Sequence, residues 1–176
     1  DRGPLAFWYD RRATRLADQV ASVDLLSRLG RADLPAENEL LRNAPQMNRE
    51  DRIRLAEVLA RRGATGDARA LLASVWSEVR VEGRTASLPQ DSTRWYFHSS
   101  VRELSRLLTA TLATDPEHAL VGPLVERLAA HYACDPDGLL VGNGSNELIQ
   151  ATLGVTLDRD DVLVAPAPTF SLYRLL

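Results

Sequence analysis

The sequence contains no lysine; all 21 of its basic residues are arginine. A mechanism that needs a lysine amine cannot be completed by this chain alone. The single cysteine, Cys134, excludes an internal disulfide and a four-cysteine metal site. It reads as a small buried or idle residue. His98, His118 and His131 stand far apart, without a His-x-x-x-His spacing, so each reads as a solvated or capping residue and no metal site is expected. No apolar run approaches the roughly 20 residues that span a bilayer. A net charge of −3 and a pI near 5.6 give no support to a nucleic-acid or anionic-membrane surface. The N-terminus, Asp1-Arg2-Gly3-Pro4, has no initiator Met and no signal-peptide core, and the C-terminus stops within the apolar Leu172-Tyr173-Arg174-Leu175-Leu176. Both ends read as cut, and the chain is expected to be a fragment.

What the sequence does hold is 176 residues, 45% of them hydrophobic, enough for one medium domain or one and a half small ones. Amphipathic helix dominates. Phe7, Trp8 and Tyr9 are expected to anchor the start of a first helix, over 12–30, in which Leu16, Val20, Val23, Leu26 and Leu29 recur every three or four residues. Gly30 would end it as the residue just past the cap. A short helix over 35–43 has Pro35 in its first turn. Asn48 caps the next, with Asp51 in capping-box position; Ile53, Ala56, Val58 and Leu59 form its buried face and Gly63 ends it. Asp67 is expected to cap a further helix carrying Leu71, Leu72, Val75 and Val79, with Trp76 beside them. The short link 63–66 makes the two an antiparallel hairpin.

Residues 83–98 read as a loop, with Gly83, Pro89 and the polar run 90–93, packed down by Trp95, Tyr96 and Phe97. Ser100 and Glu103 form a capping box for a helix carrying Val101, Leu104, Leu108 and Leu112. Asp115-Pro116 stops this helix and starts another, with Asp115 as N-cap and Pro116 as first residue; that helix is interrupted at Gly122-Pro123 and resumed from Pro123 to Tyr132.

The pattern then changes. Asp135-Pro136-Asp137-Gly138 is a turn, followed by a strand (139–142), a glycine turn, a helix (146–157) with Leu148, Ile149, Leu153 and Val155, a solvated polar turn at Asp158-Arg159-Asp160-Asp161, and a second strand (162–165). This is one βαβ unit, normally part of a larger parallel sheet. Within it, Gly142-Asn143-Gly144-Ser145-Asn146-Glu147 carries the clearest chemical signal. Glycines let the backbone approach an anion, and the first free N–H groups of the following helix point at it. Ser145 does not sit in Gly-x-Ser-x-Gly, so it is not read as a nucleophile.

Two resemblances follow from these motifs. Residues from about 123 to 176 resemble class I/II pyridoxal-phosphate-dependent aminotransferases of fold type I, and among them histidinol-phosphate aminotransferases of histidine biosynthesis. The carriers are Asp135-Pro136-Asp137, the Gly142–Glu147 turn, Leu148-Ile149, and Pro168-Thr169-Phe170-Ser171-Leu172-Tyr173. The resemblance implies pyridoxal 5′-phosphate as cofactor, its phosphate held by the backbone of Gly144, Ser145 and Asn146. Phe170, which alone would read as a core aromatic, would stack on the cofactor ring, and Tyr173 would lie near the substrate or a dimer interface. It also implies a cytoplasmic homodimer moving an amino group between histidinol phosphate, or a similar amine, and 2-oxoglutarate. The family's later Asn, Asp, Tyr, Schiff-base lysine and substrate arginine, and the arm ahead of the glycine turn, have no counterpart here. No catalytic residue is therefore assigned.

Residues from about 8 to 124 resemble instead the helical thioester-domain region of bacterial alpha-2-macroglobulin-like proteins. The carriers are Ile53-Arg54-Leu55-Ala56 with Leu59 through Ala70-Leu71-Leu72, then Val81-Glu82-Gly83-Arg84-Thr85-Ala86, Trp95-Tyr96-Phe97 with Ser99-Ser100-Val101-Arg102, and Thr114-Asp115-Pro116-Glu117-His118-Ala119-Leu120-Val121. That family is exported, and its thioester needs a Cys-x-Glu-Gln run; Cys134 is followed by Asp135-Pro136-Asp137, so that chemistry is absent. The expected fold is mainly α: helical hairpins as a partial α/α toroid over 1–122, then the incomplete βαβ unit over 123–176. Three readings stay open: an aminotransferase fragment inactive alone, a helical interaction module of a protease trap, and a non-functional chimera joined near 115–128.

Overall fold

The computed structural model describes residues 11–89, 99–140 and 145–164. Two compact units divide the chain, Asp1–Leu139 and Leu140–Leu176. The described residues are mainly helical.

In the first unit α1 (Arg11–Arg28) is followed by α2 (Leu34–Asn43), a 3-10 turn (Ala44–Gln46), α3 (Arg49–Arg61) and α4 (Thr65–Trp76). A hairpin of β1 (Arg80–Glu82) and β2 (Thr85–Ser87) leads on to α5 (Ser100–Thr114), α6 (Val121–Tyr132) and a second 3-10 turn (Pro136–Gly138). Helix α3 is the centre: α1, α2, α4 and α5 all pack on it, while α6 packs on α5 and β2. Ile53, Leu55, Ala56, Val58 and Leu59 are fully buried, and Val20, Leu72, Val75, Leu107, Leu124 and Leu128 close around them or around α5.

The helix boundaries have local causes. Asn48 Oδ1 accepts from the N–H of Asp51 at 2.9 Å, capping α3, and Asn48 Nδ2 donates to the Asp51 carboxylate. Pro35 sits in the first turn of α2, where Asp33 caps the N–H of Ala36. Helices α1 and α3 both end in a Schellman pattern at glycines with φ of 68° and 84°, Gly30 and Gly63. At the end of α6 the same pattern falls on Ala133, at φ 52°.

Several expectations need correction. Asp67 does not cap α4: the helix starts two residues earlier, at Thr65, because the Schellman turn delivers Ala64 directly into it, and Asp67 lies in its first turn. The cap of α5 is Ser99, whose Oγ accepts from Arg102, and not Ser100. Glu103 is drawn inward to Arg49. Asp115 closes α5 as expected but opens no helix, and Gly122-Pro123 lies inside the first turn of α6, where proline's missing N–H has no partner to lose. Leu29 and Leu112 are exposed at the ends of their stripes.

The expected loop from residue 83 begins instead inside a hairpin. Gly83, at φ 61°, fills the first of two turn positions between Glu82 and Thr85. Ala86 is fully buried on the face toward α6, and Arg84 pairs with Glu126 of that helix. Phe7, Trp8, Tyr9 and the Trp95-Tyr96-Phe97 cluster lie outside the described residues.

In the second unit α7 spans Ser145–Thr156. The polar turn forms as expected: Asp158 N–H donates to Asp161 Oδ2 at 2.8 Å, and Asp161 N–H to the Asp158 carbonyl at 3.1 Å. The described parts of the flanking strands do not. Leu139 and Leu140 are not in a strand, and Val162–Val164 are unpaired and exposed, Val162 at 81% and Val164 at 87%. A parallel strand is stable as part of a covered, multi-stranded sheet. The only sheet among the described residues is the antiparallel β1–β2 pair, so the expected βαβ unit is not formed there.

Candidate functional site

The site expected from sequence is the glycine turn running into α7. The helix begins at Ser145, one residue ahead of the expected start. Its leading N–H groups, which no intrahelical carbonyl can satisfy, therefore belong to Ser145, Asn146 and the two residues after them. Serine and asparagine favour a helix start because their short polar side chains compete with the helix interior. Beyond them Leu148, Ile149 and Leu153 are half-buried, whereas Val155 is 86% exposed. Gly144 lies outside the described residues, as do Phe170 and Tyr173. The structure thus brings Ser145 and Asn146 to one helix start and does not describe the residues expected to complete the site.

Among the other sequence candidates, His118 and His131 have local partners. His118 stacks on Trp76, ring centroids 4.0 Å apart, and its Nδ1 accepts the N–H of Leu120 at 3.2 Å. Trp76 in turn donates its indole N–H to Thr111 Oγ1 at 2.9 Å. This pins the α5–α6 connection onto α4. His131 lies edge-on to Tyr132. Cys134 is an exposed free thiol, not a buried one, because the Schellman turn carries it off the end of α6. His98 lies outside the described residues. No group of three or more histidine, cysteine or carboxylate side chains among the described residues could hold a metal ion. No helix there is long and apolar enough to cross a membrane.

Sequence reading missed a cluster of buried charges around α3. Arg49 is 6% exposed, and all three of its guanidinium nitrogens donate hydrogen bonds. Nε and Nη2 donate to the two carboxylate oxygens of Glu103 at 2.6 and 3.0 Å, Nη1 donates to Glu78 at 2.9 Å, and Nη2 also donates to the Pro89 carbonyl at 2.8 Å. Burial alone would lower the pKa of Arg49; the bonds to Glu103 and Glu78 outweigh it and raise it. Four of its five N–H donors are spent within the protein, so this is a clamp joining α3, α5 and the segments around β1–β2.

Further along α3, Glu57 Oε2 sits 3.7 Å from Arg106 Nη1 and 4.0 Å from Arg28 Nη2, without a hydrogen bond to either. Burial, against the pull of Arg106, raises its pKa; Asp24 adds to the rise while Arg28 and Arg61 oppose it. Arg62 Nε reaches Glu37, fully buried on α2, at 2.6 Å without the alignment of a hydrogen bond. The sequence signal for all this is weak: glutamate and arginine on one helix ordinarily read as a solvated face.

Comparison with known proteins gives a partial answer of one kind. Part of the chain is similar in sequence to aminotransferases. Histidinol-phosphate aminotransferase 2 of Carboxydothermus hydrogenoformans is 38% identical over 51 residues, 29% of this chain and 14% of that protein. The histidinol-phosphate aminotransferase of Ruminiclostridium cellulolyticum is 33% identical over 51 residues, again 29% and 14%. That of Symbiobacterium thermophilum is 36% identical over 72 residues, 41% of this chain and 20% of the relative. The chain matches 14–20% of the length of these curated relatives. No family model matches the chain, and no solved structure gives a significant match.

Proposed function

We propose that residues 123–176 are a piece of a pyridoxal-phosphate-dependent aminotransferase of the histidinol-phosphate kind. In this reading the piece carries the turn that holds the cofactor phosphate and lacks the groups that act on the cofactor. The observation that carries it is the partial similarity to three histidinol-phosphate aminotransferases. It is supported by a helix that starts at Ser145, directly after the glycine run.

The backbone N–H groups of Gly144, Ser145 and Asn146 would receive the phosphate oxygens, with the helix dipole behind them. Phe170 would cover one face of the ring and exclude water from it, and Tyr173 would stand near the substrate or a dimer interface. The cofactor, when bound, supplies the electron sink for moving an amino group. The residues present suit its phosphate end. They do not suit its carbonyl end, because the chain has no lysine to hold it. The chain alone is therefore inactive. The whole protein would work in the cytoplasm as a homodimer, on histidinol phosphate or a similar amine and 2-oxoglutarate.

The amide resonances of Gly144, Ser145 and Asn146 test the cradle. Pyridoxal phosphate and inorganic phosphate should shift them, and pyridoxal should not. Silence at these amides, or an equal response to pyridoxal, would sink the reading. Turnover of the two substrates by this chain with added cofactor would overturn its inactivity.

A second reading, a helical interaction module from a macroglobulin-like protease trap, is supported by the self-contained core of the first unit. A stable complex with an added protease, formed without any thioester, would favour it. A gene interrupted across the codons for residues 115–130 would favour a chimera with neither role.

A further inference from the structure

The hairpin offers one unspent recognition surface. With two turn residues, the closing pair Glu82–Thr85 is hydrogen-bonded, so alternation makes Val81–Ala86 the non-hydrogen-bonded pair and Arg80–Ser87 the next hydrogen-bonded one. The N–H and C=O of Val81 therefore point away from β2, along the outer edge of β1. Nothing among the described residues pairs with that edge. All three residues of β1 are exposed, Val81 at 49%.

The side chains on this edge carry a pattern. Arg80 and Glu82 lie on one face, and neither makes an ion pair or side-chain hydrogen bond among the described residues. Val81 lies on the other face, beside the buried Ala86. A natural edge is usually protected by charges that repel a copy of itself. Arg-Val-Glu does the reverse. Turned over and laid antiparallel with Val81 opposite Val81, a second copy places Glu82 against Arg80 and Arg80 against Glu82. These two are non-hydrogen-bonded pairs, the kind whose side chains approach most closely.

We propose that β1 is a self-recognition edge: two copies of this chain pair through Arg80-Val81-Glu82 about a two-fold axis at Val81, joining their hairpins into one four-stranded antiparallel sheet. Val81 of each copy donates its N–H to the other's carbonyl and accepts in return. The two valines meet on the face that continues toward α6, and the two Arg–Glu pairs close the opposite face. The contact is isologous, so it stops at two copies. It belongs to the first unit and does not depend on the cofactor reading.

A three-residue strand makes a small interface, so association should become visible by sedimentation at protein concentrations on the order of 0.1–1 mM. Arg80→Glu alone and Glu82→Arg alone each set like charges opposite, and each should weaken self-association by on the order of tenfold. Mixing those two variants should restore association as a heterodimer, and the double exchange R80E/E82R should self-associate as the parent does. Val81→Pro removes an N–H that the hairpin does not use and should abolish pairing, with the hairpin's own amide signals retained. A parent chain that stays monomeric to 1 mM, or single variants that associate as strongly as the parent, would overturn the proposal; so would a mixture of the two that stays monomeric.

Discussion

Helix α3 has seven charged residues in thirteen and is the most buried element of its unit; α7 has one charge in twelve and leaves Val155 86% exposed. Hydropathy would order them the other way. What separates them is the supply of partners. Around α3 stand four helices that bring Leu and Val to its apolar positions and Arg28, Arg102, Arg106 and Glu103 to its charged ones, joined by Glu78 from the turn after α4. Around α7 the expected strands are not formed among the described residues, and its apolar side chains have little to meet. A charged residue can be buried where an opposite charge and hydrogen bonds meet it, and an apolar one stays exposed where no complementary face exists.

The comparison can be broken most severely at Arg49. Arg49→Ala withdraws the guanidinium from Glu103 and Glu78 and should lower stability by about 3–5 kcal/mol, read from urea unfolding. Leu59→Ala, which opens a void in the apolar side of the same helix, should cost about 3 kcal/mol. If Arg49→Ala proved nearly neutral, the charges of α3 would be passengers on an apolar core.

Glu57 sharpens the contrast at a smaller scale. Its folded pKa is raised above the ordinary 4.5, so the folded state holds the proton more tightly than the unfolded one. The stability this lends is complete below the ordinary value and lost as pH rises through the folded value. Glu57→Gln should therefore gain on the parent as pH rises from 4 to 8, the difference in unfolding free energy being the readout. A difference that shrank over that range would mean that Arg106 and Arg28 outweigh burial. The smallest effect belongs to α7: Val155→Ser should change stability by less than about 0.5 kcal/mol.

Much of the first unit can be read from its residues. Asn48, Pro35, Gly30 and Gly63 announce their boundaries because each acts through the backbone beside it. The failures are of two kinds. Strands of three residues are too short for an alternating pattern, so Gly83 reads as a loop glycine although it turns a hairpin. Glu103 depends on what lies across the fold: a capping-box glutamate becomes the partner of Arg49, fifty-four positions away. For the site, Ser145 and Asn146 do open a helix, as small polar residues after glycines should. The expected strands at 139–142 and 162–165 fail in the described part because a strand is a property of its neighbours.

Cys134 stands exposed just beyond Ala133, on a turn fixed by two backbone hydrogen bonds and a few residues ahead of the division between the units at Leu139 and Leu140. The sequence has no other thiol. A single maleimide-linked spin label or fluorophore can therefore be placed there without any substitution, on a hydrogen-bonded turn. Its mobility or anisotropy would report the local order of the turn that ends α6, in a protein otherwise unaltered.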